Sequence, residues 1–234
     1  ASHAIGGSYL KSKVGSCKYS DITVFSFHPV KIITSGEGGM ALTNDKNLAS
    51  KMNLYRSHGI TKNEEMMENE PHGHWYYEQL VLGFNYRMTD IHAALGLSQF
   101  KRVDGYIETR NKLANEYNIM LSHLPLKLPL VSEDVISSFH LYVICLNHDI
   151  KIHHQKIFNS MRRKGILVNL HYIPVYLHPF YRNLGFKKGY CPNAEKFYSR
   201  AISIPMFPKL TRKDQSFIVQ SIKESLKEIS FNSF

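Results

Sequence analysis

Hydrophobic residues in the first half of the chain form short runs separated by a polar, glycine-rich segment. Residues 21–27 have the composition of a buried strand, and residues 40–43 form a second apolar run. Residues 47–57 then carry apolar side chains at helical spacing, and Gly59 follows as a C-terminal cap. The pattern therefore predicts a strand, a constrained turn, a second strand and a helix.

From Thr89 onward, apolar residues recur on one helical face as far as Leu121, and Gly105 predicts a break between two helices. The elements predicted after residue 124 are, in chain order, a strand over 139–144, a helix over 152–164, a strand over 166–172, a helix over 193–202, a strand over 204–206 and a helix that Thr211 caps. This order is typical of an α/β protein. We place the domain boundary near Gly105, which gives domains over residues 1–104 and 105–234.

Lys31 lies between the two predicted strands, with no charged neighbour before Glu37. Surface lysines usually occur in groups, so a single lysine in a short turn between core strands is unusual. The lysine amine forms Schiff bases, and pyridoxal 5′-phosphate (PLP) needs a lysine to hold it. Two other interpretations remain open at this point. Lys31 can be a surface residue of a hairpin turn, and residues 36–39 match the G-x-x-G loop of a nucleic-acid-binding KH module.

Composition narrows the possible classes of protein. The 234 residues carry a formal net charge of +10, but the basic residues are spread along the chain, so a solvated surface or a nucleotide diphosphate site explains them without nucleic acid. No apolar run approaches a membrane span. Cys17, Cys145 and Cys191 have irregular spacing and predict reduced thiols in a cytoplasmic protein. The 13 histidines lack partners at metal-ligand spacing, so no metal site is expected.

The residues around Lys31 carry a long and specific motif. Ser-Phe-His-Pro-Val-Lys at residues 26–31, followed by Thr-Ser-Gly-Glu-Gly-Gly at residues 34–39, resembles the signature of the DegT/StrS-type sugar-nucleotide aminotransferases. The resemblance implies a fold-type-I, aspartate aminotransferase-like architecture with PLP as the cofactor. It also implies that Lys31 holds PLP and that Ser26 binds its phosphate group.

A second motif of this family is Gly-Phe-Asn-Tyr-Arg-Met-Thr-Asp, which matches residues 83–90. The resemblance implies a homodimer with an active site shared across the interface, in which Asn85 reaches the PLP phosphate held by the partner subunit. Arg87 lies in the same loop and is expected to hold substrate or the interface. Thr89 is a suitable N-cap for the helix that follows. A simple turn residue before that helix is the alternative role for Asn85.

The first residues, Ala-Ser-His-Ala-Ile-Gly, also resemble a family motif. In the family this motif follows a Glu-Asp pair, whose aspartate binds the pyridine nitrogen of PLP, and the resemblance puts His3 beside the cofactor ring. The sequence given begins one residue after that aspartate. We therefore expect a C-terminal piece of a longer protein, with an incomplete large domain followed by a small C-terminal α/β domain.

A third match covers the aromatic, proline-rich stretch over residues 171–181. The family places such a loop over the substrate side of the active site. His171, Tyr172 and His178 are therefore candidates to bind the sugar. Aromatic packing within a proline-rich loop is the alternative explanation for the same residues.

The activity that the resemblance implies is transamination of a nucleotide-linked 4-keto sugar, with L-glutamate as the expected amino donor. The motifs look most like those of family members that act in pseudaminic acid biosynthesis, on a UDP-linked 4-keto-6-deoxy N-acetylhexosamine. Another 4-keto sugar nucleotide is one alternative. A truncated homologue without activity, serving as a dimerisation or binding module, is another. Related PLP-dependent sugar dehydratases replace the lysine with histidine, so Lys31 argues against that reaction.

Overall fold

The computed structural model describes residues 1–230; residues 231–234, at the end of the second predicted domain, lie outside the described residues. The chain divides into two compact units. The first unit comprises Ala1–Asp104 with Asp134–Ile136, and the second comprises Gly105–Glu133 with Ser137–Phe234.

The strands of the described chain are short. In chain order they are β1 (Ser8–Tyr9), β2 (Ser12–Lys13), β3 (Thr23–Ser26), β4 (Gly39–Leu42), β5 (Ile60–Thr61), β6 (Glu78–Gln79), β7 (Leu126–Lys127), β8 (Val135–Ile136), β9 (Tyr142–Leu146) and β10 (Ala201–Ile204).

Seven α-helices lie in the described chain. In chain order they are α1 (Lys46–Arg56), α2 (Asp90–Phe100), α3 (Val103–Leu121), α4 (His154–Arg163), α5 (Pro179–Asn183), α6 (Pro192–Tyr198) and α7 (Arg212–Ser230). Three 3-10 turns cover Glu64–Met66, His148–His153 and Val175–Leu177. No helix of residues 1–230 combines the length and the apolar content that a membrane span needs.

Three small antiparallel sheets build the first unit: β2-β1-β8, β3-β4 and β5-β6. In β3, Thr23 and Phe25 are buried while Val24 between them is half exposed, as the two-residue period of a strand requires. The strands predicted over residues 21–27 and 40–43 are confirmed, with ends that differ by one or two residues.

Side-chain caps set the helix starts that the sequence predicted. Asp45 Oδ1 accepts from the backbone N–H groups of Asn47 and Leu48 at 2.7 and 3.0 Å, and so caps α1. Thr89 Oγ1 accepts from His92 N at 3.3 Å and caps α2. These bonds satisfy N–H groups that have no partner inside a helix.

The helix break predicted at Gly105 was wrong by a few residues. α2 ends at Phe100 and α3 begins at Val103, so Gly105 lies in the first turn of α3. Glycine costs a helix about 1 kcal/mol. Val103 and Ile107, on either side of it, are buried, and their burial outweighs that cost.

The second unit has a continuous hydrophobic core between an antiparallel sheet, ordered β10-β9-β7, and helices α3, α4 and α7. The fully buried members of this core are Ala114, Tyr117, Leu121, Tyr142, Ile144, Leu146, Ile157, Met161, Val168, Ile202 and Ile222. A cooperative core of this kind fixes the positions of the segments that cross it.

Several predictions for the second unit were wrong in detail, and the strand predicted over residues 204–206 lies at Ala201–Ile204 instead. The helix predicted over residues 193–202 ends at Tyr198, because Ala201–Ile204 pairs with β9 as β10. The strand predicted over residues 166–172 is an extended segment instead, joined to β10 by an isolated bridge between Asn169 and Ser203. Pairing with a distant strand decides these boundaries, and local sequence patterns do not encode it.

Candidate active site

Lys31 lies in the turn that follows β3. Its backbone N–H donates to His28 O at 2.9 Å, which closes the turn around Pro29. The side chain is partly buried. Within residues 1–230, Nζ of Lys31 forms no hydrogen bond or ion pair, whereas Lys13, Lys112 and Lys164 each pair with a carboxylate. Its amine is therefore available to a ligand.

The backbone after Lys31 folds back on the end of β3. Ser35 N and Thr34 Oγ1 both donate to Phe27 O, at 3.0 and 2.9 Å, and Phe27 N donates to Gly38 O at 2.8 Å. Ser35 is fully buried and its hydroxyl donates to Glu37 O at 2.8 Å. The hydroxyls of the threonine and serine in the first motif thus build the loop itself.

Ser26 is the last residue of β3, and its register partner in β4 is Gly39. Residues directly opposite each other share a face of a sheet, so the partly buried Ser26 hydroxyl has no side chain opposite it. A Cβ at Gly39 would lie 2.8 Å from Phe25 O, so the close pairing here requires glycine. Among the described residues the Ser26 side chain has no hydrogen-bond partner, and its hydroxyl is available.

The two motifs of the first unit pack against each other. A Cβ at Gly38, whose φ is +154°, would lie 2.5 Å from Met88 Cε and 2.5 Å from Ser35 Oγ. A Cβ at Gly36 would lie 3.3 Å from His92 Cδ2 in α2. The glycines therefore allow the start of α2, with the residues just before it, to touch the loop that follows Lys31.

Backbone pairing with the end of α1 holds the segment that carries Asn85. Phe84 N donates to Tyr55 O at 2.7 Å, and Tyr86 N donates to Arg56 O at 2.9 Å. These carbonyls lie in the last turn of α1, where a helix leaves its carbonyl groups unsatisfied. The Phe84 and Tyr86 rings stack with centroids 4.8 Å apart, and in an extended segment Asn85 points to the other side.

The exposed side chains of Asn85 and Arg87 make no hydrogen bond or ion pair within the described part of the chain. His3 is partly buried in a turn that the Ala4 N to Ala1 O bond of 2.9 Å closes. Lys31, Ser26, His3, Asn85 and Arg87 thus all belong to the first unit. Contacts that link the loop of Lys31 to the segment of Asn85 run through Gly38 and Met88.

The remaining predicted residues lie in the second unit. His171 Nδ1 lies 2.8 Å from Ser203 Oγ, and the Tyr172 ring meets the His171 ring edge-on, with centroids 4.6 Å apart. His178 is exposed and precedes α5. The structure thus brings His171 and Tyr172 together, while Val175–Leu177 separates them from His178 along the chain.

Sequence reasoning missed Ser203 and Glu195. Ser203 is the one polar residue of β10, and a hydroxyl in an otherwise apolar strand was the available signal. Glu195 Oε1 accepts from the Tyr176 hydroxyl at 2.7 Å and from Gly189 N at 2.6 Å. These bonds, the one from Tyr176 first, lower the pKa of the Glu195 carboxyl. They tie together the two ends of the segment that contains His178.

PLP requires an amine for its aldehyde and polar donors for its phosphate. Lys31 and Ser26 supply these groups at one end of β3, and no side chain opposes Ser26 across the sheet. The donor set of the first unit therefore fits PLP. Metal chemistry has no such support, because no three of the His, Cys, Asp and Glu residues in the described chain could hold a metal ion together.

Comparison with known proteins agrees with the motifs. The model of the DegT/DnrJ/EryC1/StrS aminotransferase family matches residues 1–223. The UDP-4-amino-4,6-dideoxy-N-acetyl-beta-L-altrosamine transaminase of Campylobacter jejuni is 36% identical over 230 residues, which cover 98% of this chain and 58% of that protein. The Helicobacter pylori transaminase of the same name is 34% identical, with coverage of 97% and 58%. The chain thus spans less than two thirds of the length of these relatives.

Solved structures give the same result. Helicobacter pylori PseC, an aminotransferase involved in the biosynthesis of pseudoaminic acid, superposes with a TM-score of 0.87 at 33% identity, over 97% of this chain and 58% of that one. A Streptococcus pneumoniae protein described as a sugar aminotransferase, in its PLP-form, gives a TM-score of 0.87 at 28% identity, over 98% and 57%. These likenesses confirm the predicted fold-type-I class with an incomplete large domain. The chain belongs to the DegT/DnrJ/EryC1/StrS aminotransferase family, whose members depend on PLP.

Proposed function

We propose that this protein catalyses the PLP-dependent transamination of a nucleotide-linked 4-keto-6-deoxy sugar, with a UDP-linked N-acetylhexosamine as substrate and L-glutamate as amino donor. One observation carries the proposal. Lys31 Nζ and Ser26 Oγ, both partly buried, lie at the end of β3 without a protein partner among the described residues. Both groups can therefore serve a ligand: the lysine amine can form a Schiff base, and the serine hydroxyl can donate to a phosphate oxygen.

Each predicted residue has a distinct role in this proposal. Lys31 holds PLP covalently through Nζ, and its amine, once displaced, moves a proton as base and then as acid. PLP, when bound, supplies the electron sink for the reaction. Ser26 donates to the PLP phosphate, and His3 lies beside the ring. The remaining residues bind the nucleotide sugar or the interface: Arg87, His171, Tyr172 and His178.

We further propose a homodimer, in which Asn85 of one subunit reaches the PLP phosphate of the other. The support is the surface of α2, which directly follows the Asn85 segment. α2 has no buried residue within the described chain, although Ile91, Leu95 and Phe100 are apolar and exposed. Such an apolar surface is typical of a protein interface.

The proposal also assigns a role to each domain. Residues 1–104 form part of the PLP-binding domain, and residues 105–234 form the linking helix and the small domain. The enzyme is proposed to be cytoplasmic.

A second candidate function is a dimerisation or binding module without activity. The observation that favours it is the exposed apolar surface of α2, which would serve such a module without a cofactor.

The test is an amino-transfer assay with the purified chain, PLP, L-glutamate and a UDP-linked 4-keto-6-deoxy N-acetylhexosamine. The proposal predicts formation of the 4-amino sugar, detected by mass spectrometry, together with 2-oxoglutarate. Lys31→Ala should abolish both products. Lys51→Ala, which removes an exposed lysine from α1, is the matched control and should retain them. Dimer formation without any amino sugar would favour the binding module, and amination of a dTDP- or GDP-linked 4-keto sugar alone would correct the substrate.

A further inference from the structure

Thr34 carries the hydroxyl that closes the loop around Lys31. Its Oγ1 donates to Phe27 O at 2.9 Å and accepts from Gly36 N at 2.9 Å. Phe27 directly follows Ser26 in the chain, and it precedes Lys31. Gly36 comes after Lys31. A single side chain therefore bonds the backbone on both sides of the lysine.

The rest of the loop restrains the backbone of Lys31. Its N–H group donates to His28 O at 2.9 Å. Ile32 and Ile33, which follow it, are only 6% and 2% exposed, and close packing of their side chains holds the backbone on the other side. The loop therefore fixes the point from which the Lys31 side chain extends.

The Thr34 hydroxyl determines how this loop closes. Phe27 O has two lone pairs, and Ser35 N donates to it at 3.0 Å beside the Thr34 hydroxyl. Removal of the hydroxyl leaves the bond from Ser35 in place, but it takes away the acceptor of Gly36 N within residues 1–230. We therefore expect loss of the hydroxyl to shift the loop without unfolding the first unit.

PLP requires that two protein groups be correctly spaced. It carries its aldehyde and its phosphate group on one small ring, and in the proposed function Lys31 Nζ and Ser26 Oγ hold these two ends. The loop from Phe27 onward connects the two residues, so its closure sets their separation. Functional groups need to be held within about 0.5 Å of their working geometry by the contacts of supporting residues.

We propose that Thr34 is a positioning residue: its hydroxyl holds the loop so that Lys31 and Ser26 bind the aldehyde and the phosphate of one PLP molecule. This inference rests on the proposed function, which gives those roles to Lys31 and Ser26. Both hydrogen bonds of the Thr34 hydroxyl go to the backbone. Thr34 therefore acts on PLP only through the other two residues.

The first test needs no PLP. Amide hydrogen exchange is recorded by NMR for the full chain, for Thr34→Val, which keeps the side-chain shape without the hydroxyl, and for Thr34→Ser, which keeps the hydroxyl. The Gly36 amide should lose protection in Thr34→Val and regain it in Thr34→Ser. The Ser35 amide, which is bonded to Phe27 O, should stay protected in both. Equal protection of Gly36 in the wild type and Thr34→Val overturns the proposal.

The second test compares PLP with pyridoxal, which has the same aldehyde but no phosphate group. The Lys31 amine condenses with either aldehyde with loss of water, and borohydride then supplies the hydride that makes the bond permanent. Peptide mass spectrometry gives the concentration of each compound at which half of Lys31 is labelled. The wild type should need less PLP than pyridoxal, because only PLP has the phosphate that Ser26 binds.

The ratio of these two concentrations is the decisive readout. Thr34→Val should lower the preference for PLP about three- to tenfold, the usual effect of one neutral hydrogen bond, and Thr34→Ser should restore it. In a Ser26→Ala background, Thr34→Val should lower the preference by less, because both changes act on the same phosphate contact. Equal losses of labelling by both aldehydes would mean a role in stability alone and overturn the proposal.

Thr61→Val is the matched control. Thr61 is 6% exposed, and its Oγ1 accepts from Asn63 N at 3.1 Å, the same spacing along the chain as in the contact of Thr34 with Gly36. It belongs to β5, whose sheet partner is β6. Thr61→Val should keep the wild-type preference for PLP. Circular dichroism checks that each variant is folded, and Thr34→Ala replaces Thr34→Val if the latter is not.

The outcomes separate this inference from the proposed function. If Lys31 is labelled and Thr34→Val keeps the full preference for PLP, the role of Thr34 is overturned and the proposed function stands. If neither aldehyde labels Lys31 of the wild type, the proposed function is overturned together with this inference.

Discussion

The two units of this protein differ in how they hold their candidate site residues. In the second unit, the His171 ring contacts the Ser203 hydroxyl of β10. Strand β10 belongs to a continuous core with β9, α3, α4 and α7. In the first unit, Lys31, Ser26 and Asn85 lie on turns and strand ends that are held mainly by backbone hydrogen bonds. The difference teaches that the second unit can position its residues by its own packing, whereas the first unit depends on a few local contacts.

The surfaces of the units differ in the same way. Leu82 and Ile91 of the first unit are 87% and 82% exposed, and β3 and β4 form a ribbon of two strands. Two paired strands are marginally stable in water by themselves, and large apolar patches are typical of surfaces that bind protein. The homodimer proposed above would cover apolar side chains of this kind.

The largest effect that separates the units is the cost of truncating a strand residue. Ile144 in β9 is fully buried, so Ile144→Ala should lower the free energy of unfolding by about 2–5 kcal/mol. Val24 in β3 is 50% exposed, so Val24→Ala should change it by less than about 0.5 kcal/mol. Chemical denaturation followed by circular dichroism measures both. Equal losses for the two variants would mean that the first unit has as tight a core as the second.

An intermediate effect tests the contact between the two motifs of the first unit. Gly38→Ala puts a Cβ within 2.5 Å of Met88 Cε and Ser35 Oγ at a positive φ, and should cost about 1–3 kcal/mol. Gly105→Ala in α3 meets nothing within 4 Å and should stabilise the chain by about 0.5–1 kcal/mol. Thermal or chemical unfolding compares the two. If Gly38→Ala were as harmless as Gly105→Ala, the packing of Met88 on the glycine loop would not contribute to stability.

The smallest effect concerns the loop before β6. The Glu78 carboxylate accepts from the backbone N–H groups of Glu68 and Asn69 and from the Tyr76 hydroxyl, at 2.6, 3.0 and 2.7 Å. These bonds, the one from Glu68 first, lower the pKa of Glu78 from 4.5 to about 2. The carboxylate therefore stabilises the loop fully above pH 4.5, and this contribution is lost as the pH falls toward 2.

Amide hydrogen exchange at Glu68 and Asn69 measures this effect. Protection of both amides should fall in Glu78→Gln at neutral pH, while amides of β9 keep theirs. In the wild type the same two amides should lose protection, beyond the ordinary pH trend of exchange, as the pH falls from 4.5 toward 2. Identical exchange in the wild type and Glu78→Gln would remove Glu78 as the anchor of this loop.

The sequence predicted the features that local patterns encode. Thr89 was identifiable as a helix cap because a cap needs only its own short side chain and the next three residues. The family motifs around Lys31 and Asn85 were identifiable because each is contiguous. The contact of Gly38 with Met88 and the pairing of Ser203 with His171 join residues 50 and 32 positions apart. Contacts between such distant positions depend on tertiary structure, and neither periodicity nor spacing reveals them.

The same reason explains the wrong boundaries. Ala201 and Ile202 were predicted to lie in the helix over 193–202. They belong to β10 instead, because they pair with β9 and are fully buried. Gly105 stays inside α3 because its neighbours Val103 and Ile107 are buried. In each case packing outweighs the local preference of the residues concerned.

The central claim is that Lys31 is the residue that binds PLP. The most direct measurement is to incubate the purified chain with PLP, reduce it with borohydride and map the modified lysine by peptide mass spectrometry. The account predicts a pyridoxyl group on Lys31, absent in Lys31→Ala and retained in Lys51→Ala. A label spread over the exposed lysines and undiminished in Lys31→Ala, or no label at all, would contradict it.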